Sequence, residues 1–485
     1  MEYHRSLADV EHHIVGHNAR IETPIGEYPL IYADWAASGR LYGPIEDKMR
    51  HTFGPWVANT HTETNATGCA MTQSYHQAKD IIKAHVNANK NDALIMSGAG
   101  MTSAVTLLQR IMGWRLPERW ASPALSDEER PLVLISELEH HSNQTSWLET
   151  IADVIVLPGT TDQPVDLAVL DKILTDNHGR TTKVAAITAG SNVTGVRPPI
   201  HNIAEIMHQH AGLCFVDYTC AAPYDAIDMH PSDEATLDAI YFSPHKFLGG
   251  PGAPGALVFN EKLYQNAVPD RPGGGTVHWT NPWGGRRYYD DIETREDGGT
   301  PPFLGTIRAA LAIRLKEQMG LQAIAAREKE ICETVFSDLG HVAGVSILAP
   351  QYTDRLAVFA LHLKDLHYNL GTRLLNDYFG IQVRGGCACA GTYGHQLFGI
   401  DPERSETITN QIDRGDLSAK PGFMRLSLHP TMSDSTVRTI TDAVRTIARD
   451  GEKMAKDYRY DMRTNEFQHK NGSPPALSQD IAFQL

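Results

Sequence analysis

Between about residues 90 and 260, short runs of consecutive apolar residues alternate with amphipathic stretches, and this alternation constrains the fold more than any other feature. Ala93–Ser97, Pro131–Ser136, Asp153–Leu157, Lys183–Thr188, Leu213–Val216, Ala239–Phe242 and Gly255–Phe259 read as strands. Helical spacing falls between them, at about Thr102–Met112 and at Ile200–His210, where Gly212 stops it. Strands that are apolar on both faces, with helices between them, predict a mostly parallel sheet covered on both sides, an α/β architecture. Several strands run into polar groups at their C-terminal ends: Glu139-His140-His141, Ser191-Asn192, Asp217 and Ser243-Pro244-His245-Lys246. Open α/β sheets bind ligands at that edge.

The chain has 485 residues, too many for one core, so more than one domain is expected. Residues 265–305 are rich in Gly, Pro, Trp and Tyr without a period and read as a long functional or interface loop. Leu304–Gln318 begins a helix leading out of the first domain. A second α/β domain follows: a helix to about Leu339, a strand near Ala357–Leu361, a helix near Asn369–Tyr378 and a last helix over Ser433–Arg449. The polar tail beyond residue 450, with Asn471-Gly472-Ser473-Pro474-Pro475, is expected to be extended or mobile. The formal charge of −15 argues against a nucleic-acid partner. No apolar run approaches the ~20 residues of a membrane helix. Met1–Asp9 has no apolar signal core, so a cytoplasmic location is expected.

Ser243-Pro244-His245-Lys246-Phe247-Leu248-Gly249-Gly250 carries the most chemical information. A lysine after a strand, among small polar groups, suits an amine held partly desolvated for imine formation; a solvated surface lysine is the alternative. Asp217 ends an apolar strand, where its carboxylate can pair with a protonated pyridine nitrogen or cap a helix. With Lys246 one strand later, the cofactor reading is favoured. Ser97-Gly98-Ala99-Gly100-Met101-Thr102 joins a strand to a helix, and its free N–H groups suit a phosphate. It matches neither a Walker loop nor GxGxxG. Of six cysteines, Cys69, Cys214, Cys220 and Cys332 are scattered. Cys387 and Cys389 share the segment Gly385-Gly386-Cys387-Ala388-Cys389-Ala390-Gly391, and without a second cysteine pair no metal is expected. If the chain there is extended, the two thiols lie on opposite sides. His51, His61 and His76 read as ordinary polar residues.

From about Tyr32 to Arg425 these pieces resemble the class V aminotransferases among the fold type I pyridoxal-phosphate enzymes, in particular the cysteine desulfurase and selenocysteine lyase group. The motifs are Tyr32-Ala33-Asp34-Trp35-Ala36-Ala37, Glu139-His140-His141-Ser142-Asn143, Ser191-Asn192-Val193-Thr194-Gly195, Asp217, Ser243-Pro244-His245-Lys246, Gly298-Gly299-Thr300-Pro301 and Arg384-Gly385-Gly386-Cys387-Ala388-Cys389. The resemblance implies a large domain with a mostly parallel seven-stranded sheet over about 65–315 and a smaller α/β C-terminal domain over 316–450. It implies that the segment 1–64 packs with the small domain and that 451–485 is a tail. It further implies a cytoplasmic homodimer with shared active sites, a small amino-acid substrate and a sulfur-accepting protein.

The resemblance also implies site roles. Lys246 forms the imine with pyridoxal 5'-phosphate and moves the substrate α-proton, Asp217 bonds the pyridine nitrogen, and His140, rather than His141, stacks on the ring. Ser243, His245, Gly100, Met101 and Thr102 hold the phosphate, and Thr276 reaches the phosphate of the neighbouring subunit. Asn192 lies near the ring hydroxyl or the substrate, Arg425 clamps the substrate carboxylate with Arg384 assisting, and Cys389 takes the sulfur as a persulfide. Cys220 stands where many members have a glutamine for the ring hydroxyl, and Thr392-Tyr393 stands where one desulfurase subgroup has a proline. The implied reaction is carbon–sulfur or carbon–selenium cleavage of L-cysteine or a related amino acid. An aminotransferase, epimerase or β-lyase that does not need Cys389 is the alternative on the same cofactor, and a non-catalytic sulfur-carrier scaffold is the alternative without it.

Overall fold

Seven apolar runs become the strands of one sheet in a computed structural model, which describes residues 5–120, 124–472, 482 and 484. They are β1 (Asp92–Ser97), β2 (Leu132–Ser136), β3 (Asp153–Leu157), β4 (Lys183–Thr188), β5 (Leu213–Asp217), β6 (Ala239–Phe242) and β7 (Gly255–Asn260). Their order is β1-β7-β6-β5-β4-β2-β3. β7 runs antiparallel to both its neighbours and the other pairings are parallel. Every residue of β1, β2, β4 and β6 is buried, which explains their unbroken apolar character; the edge strand β3 is only partly covered. Ile95, Leu107, Val133, Trp147, Val184, Phe215, Tyr241 and Leu257 form the core against this sheet. Parallel strands end on one side, so Thr188, Asp217 and Tyr241 become lateral neighbours at a single edge.

The chain divides into two compact units, one of residues 38–191 and 196–322 and one of residues 5–37, 192–195 and the chain from 323 on. The segment expected as 1–64 is therefore split near residue 38. Before the split, Ile31–Tyr32 pairs with Ile381–Gln382, and Asp34 bridges to Ser427. After it, the Gly39 N–H donates to the His245 carbonyl and the Gly249 N–H to the Arg40 carbonyl. The helix Phe303–Met319 belongs wholly to the large unit. Residues 265–305 are not all loop: Val277–Thr280 and Arg286–Tyr288 form a bulged hairpin, followed by a short helix, Ile292–Glu296. Its exposed, bulged strands show no alternation, which is why no period was visible.

The small unit holds a four-stranded antiparallel sheet of β8 (Val345–Ile347), β9 (Val358–Leu363), β10 (Arg384–Gly386) and β11 (Phe423–Ser427), in the order β8-β9-β11-β10. The last long helix runs over Asp434–Met454. Part of the tail expected to be extended or mobile folds back as a hairpin, Tyr458–Asp461 with Glu466–His469. The Tyr458 hydroxyl donates to buried Asp377 at 2.8 Å, and the Asn369 amide donates to the Asn465 carbonyl at 2.5 Å. Residues 473–475 of the expected tail lie outside the described residues. Among the described residues no helix is long and apolar enough to cross a membrane, and no group of three or more His, Cys, Asp or Glu is placed to hold a metal.

Candidate active site

In the large unit, Lys246 ends a short turn, Pro244–Lys246, directly after β6 and is half-buried. Asp217, at the end of β5, is 2% exposed, and its Oδ1 accepts the Thr219 N–H at 2.8 Å. That bond caps a tight turn; no helix starts there, so the helix-cap reading of Asp217 falls away. Burial pushes the Asp217 carboxyl up, while Thr219 and the nearby charge of Lys246 pull it down. The Thr219 hydroxyl is buried and makes no hydrogen bond of good geometry. Cys220 turns its thiol toward the Ser191 carbonyl, 3.7 Å away.

The strand-to-helix turn before Met101–Ile111 closes on the Lys246 segment. The Met101 N–H donates to Ser243 Oγ at 2.8 Å. Gly100 has φ +130°, and a Cβ there would sit 3.1 Å from Ser243 Oγ and 3.5 Å from His245 Nε2. Only glycine leaves that space open. Burial, then the Lys246 charge, holds the His245 imidazole below its usual range. Thr102 Oγ1 lies 2.7 Å from Ser142 Oγ, which ties this helix start to the His140 segment.

His140 caps the helix His141–Leu148, its Nδ1 accepting the Ser142 N–H at 3.1 Å. That bond assigns the ring proton to Nε2 and fixes the ring plane. His141 lies inside the helix and has no such role. Beneath His140, buried Glu139 accepts from Ser136 Oγ at 2.6 Å, from the Asn143 amide at 2.7 Å and from the Thr188 N–H at 2.9 Å. Asn143 Oδ1 accepts from Trp147 and from the Tyr241 hydroxyl. Burial raises the Glu139 carboxyl to about 7 despite these donors. The sequence reading quoted Glu139 and Asn143 without a role; their place at a strand end beside His140 was the available signal. Thr276 is fully buried, and its hydroxyl donates to the Gly273 carbonyl at 2.7 Å.

In the small unit Arg425 and Arg384 are cross-strand neighbours on β11 and β10. Asp34 bridges them, Oδ1 taking Arg425 Nη2 and Oδ2 taking Arg384 Nε at 3.1 Å. Arg425 Nη1 donates to the Asn192 carbonyl at 3.0 Å, and its Nε is buried without a partner. The Arg425 side chain is 3% exposed and that of Arg384 47%, so Arg384 is the accessible guanidinium. Asp34 was not anticipated as their shared counter-ion. Asn192 also donates from Nδ2 to the Ala388 carbonyl at 2.6 Å, while its Oδ1 is buried and unpartnered. Gly195 ends this segment at φ +73°, with the Leu356 carbonyl 2.4 Å from where a Cβ would stand.

Cys389 is exposed and Cys387 partly so. The chain between them is not extended. Ala388 and Cys389 have φ of 49° and 59°, and the Ala390 N–H donates to the Cys387 carbonyl at 2.9 Å. This is a tight reversal with two non-glycine residues in the left-handed region.

The aminotransferase class-V family model matches residues 31–440. The chain belongs to the class V aminotransferase family. Curated relatives include a probable cysteine desulfurase from Halalkalibacterium halodurans, 27% identical over 375 residues, 76% of this chain and 86% of that protein. A probable cysteine desulfurase from Staphylococcus aureus is 27% identical over 366 residues, 74% and 83% of the two chains. Among solved structures, the apo cysteine desulfurase from Thermococcus onnurineus NA1 superposes with a TM-score of 0.73 at 20% identity, covering 93% of this chain and all of that one. The cysteine desulfurase CsdA from Escherichia coli gives a TM-score of 0.66 at 21% identity, covering 86% and 94%. These likenesses establish this class V member as an α/β enzyme fold of the same architecture.

Proposed function

We propose that this class V enzyme is a pyridoxal-phosphate-dependent cysteine desulfurase acting on L-cysteine or a closely related amino acid. The observation that carries the reading is that half-buried Lys246 stands, within one unit, near enough for its charge to act on the buried carboxylate of Asp217, with a cradle that Gly100 keeps open in the same unit. The donor set fits the cofactor. Lys246 offers an amine, Asp217 a carboxylate for a pyridinium nitrogen, and His140 an imidazole plane fixed by its own cap. Ser243, His245 and the Gly100–Thr102 helix start offer donors for a phosphate. With the Cys220 thiol turned to the Ser191 carbonyl, the buried Thr219 hydroxyl beside Asp217 is the donor offered to the ring hydroxyl that a glutamine would otherwise contact.

Bound there, pyridoxal phosphate would supply an electron sink that acidifies the substrate's α-carbon. Lys246 Nζ takes the α-proton and returns it. Burial raises the Asp217 carboxyl, the Thr219 bond and the lysine charge oppose that rise, and a cation placed beside the carboxylate would oppose it further. Arg384 and Arg425, oriented by Asp34, receive the substrate carboxylate, with Asn192 holding the arginine and the cysteine turn in place. Cys389, exposed on its turn, bonds the substrate sulfur as the carbon–sulfur bond breaks, leaving a persulfide and alanine.

The same proposal includes a homodimer with shared sites, with Thr276 serving the neighbour's phosphate, and a sulfur-accepting protein. Its cytoplasmic setting is reducing, which suits six free cysteines. The deciding experiment is product analysis with L-cysteine and a thiol reductant. Wild type should give alanine and sulfide in equal amounts, and Cys389→Ser little sulfide. Equal sulfide from both, or pyruvate in place of alanine, would make the enzyme a β-lyase.

A further inference from the structure

We propose that Cys387 is a resolving thiol that expels the sulfur held by Cys389 as hydrosulfide and closes a Cys387–Cys389 disulfide; this rests on the desulfurase reading above. Along an extended chain, residues two apart are separated by about 7 Å and their side chains oppose one another, beyond the usual disulfide span. Here the chain reverses. Ala388 and Cys389 both occupy the left-handed region, and the Ala390 N–H closes the turn on the Cys387 carbonyl. Left-handed helical backbone at the residue between them sets the two Cα atoms roughly 5.5 Å apart, inside the Cα span of a disulfide.

The reversal runs against the intrinsic preference of its residues. Left-handed backbone at alanine and cysteine costs on the order of 1 kcal/mol each. It is held from outside, because the Asn192 amide grips the Ala388 carbonyl at 2.6 Å. Such strain persists where the surroundings over-determine it, and it clusters at working sites. The two thiols differ in setting: Cys389 is exposed, where sulfur would be received, and Cys387 is partly buried. Both are free.

The step balances without an added oxidant. Cys389 carries the persulfide, Sγ–S–H. The Cys387 thiolate, having lost its proton to solvent, attacks Cys389 Sγ. The bond between that Sγ and the outer sulfur breaks, and the outer sulfur leaves as hydrosulfide with the electron pair. The outer sulfur is reduced to sulfide, the Cys387 sulfur is oxidised to the disulfide level, and the Cys389 sulfur keeps the oxidation level it had in the persulfide. A thiol reductant then restores both thiols for the next turnover.

The test uses pre-reduced, desalted holoenzyme mixed without oxygen with one equivalent of L-cysteine per chain and no other thiol. Alanine, sulfide and whole-protein mass are read together. Wild type should release sulfide in step with alanine and end two hydrogens lighter, the loss mapping to one peptide with both cysteines. Cys387→Ser should form alanine but release about tenfold less sulfide, keeping the mass of one extra sulfur. Wild type that makes alanine but keeps the extra sulfur overturns the inference and leaves the desulfurase reading standing. So does Cys387→Ser releasing as much sulfide as wild type. Absence of alanine from both proteins overturns the desulfurase reading, and the inference falls with it.

Discussion

Arg425, nearly sealed inside the small unit, is ion-paired to Asp34, a residue 391 positions earlier in the chain. The same carboxylate holds Arg384 across the neighbouring strand, so one acid neutralises two facing cations. Removing one partner of a buried pair strands the other without solvent. Asp34→Ala should therefore lower unfolding stability by about 3 kcal/mol at pH 7, read from urea denaturation. A loss below about 0.5 kcal/mol, the scale of an exposed pair, would show that Asp34 does not hold the arginines.

Glu139 gives a pH signature. Its carboxyl titrates near 7 when folded and near 4.5 when unfolded, because burial penalises its charge. The folded state thus binds the extra proton between these values, and stability falls as pH rises from about 4.5 to 7, by roughly 3 kcal/mol from this group. Glu139→Gln cannot ionise, so its stability should decline less between pH 5 and pH 8 in urea unfolding. Parallel pH profiles for the two proteins would contradict the assignment.

His429 acts in the opposite direction. It is fully buried, stacked on Trp35 at 4.0 Å, and burial lowers it to about 3. The unfolded chain takes up this proton first, so stability is intact above about 6.5 and is lost as pH falls toward 3, by roughly 5 kcal/mol. His429→Phe should lose less stability than wild type between pH 7 and pH 4. An unchanged acid slope would mean that the imidazole is protonated in the folded unit.

Gly100→Ala tests the phosphate cradle. An added methyl meets Ser243 Oγ at 3.1 Å and forces alanine into φ +130°. Cofactor affinity should drop about tenfold or more, read by titrating apoprotein with pyridoxal phosphate and following its absorbance. The circular dichroism of the fold should remain. Wild-type affinity in this variant would place the phosphate elsewhere.

The large unit was legible in the sequence because each strand is apolar along its whole buried length and each connection carries its own stop signals. Asp217 and Lys246 could be read for the same reason, as polar residues ending such strands. What stayed hidden depends on distant partners. The Tyr458–Asp461 hairpin is polar, and Asp377 and Asn369 hold it from a helix about eighty or more residues away. The left-handed Cys389 turn contradicts its own residues and is held by Asn192, nearly two hundred positions earlier. Asp34 could be quoted in a motif, but its pairing with Arg425 requires the fold. At the Cys389 turn a local rule failed at a residue assigned to chemistry, as expected where function overrides propensity.

Lys246, proposed to hold the cofactor, has a competitor within the same unit. Lys316 is also buried, and burial lowers it to about 7, yet its amine is spent on the Ala222 and Asp225 carbonyls. The direct measurement is borohydride reduction of the pyridoxal-phosphate-loaded protein, followed by peptide mass mapping. A single pyridoxyl group should appear on Lys246, with Lys246→Ala colourless and inactive. A label on Lys316, or no incorporation at all, would contradict that role for Lys246.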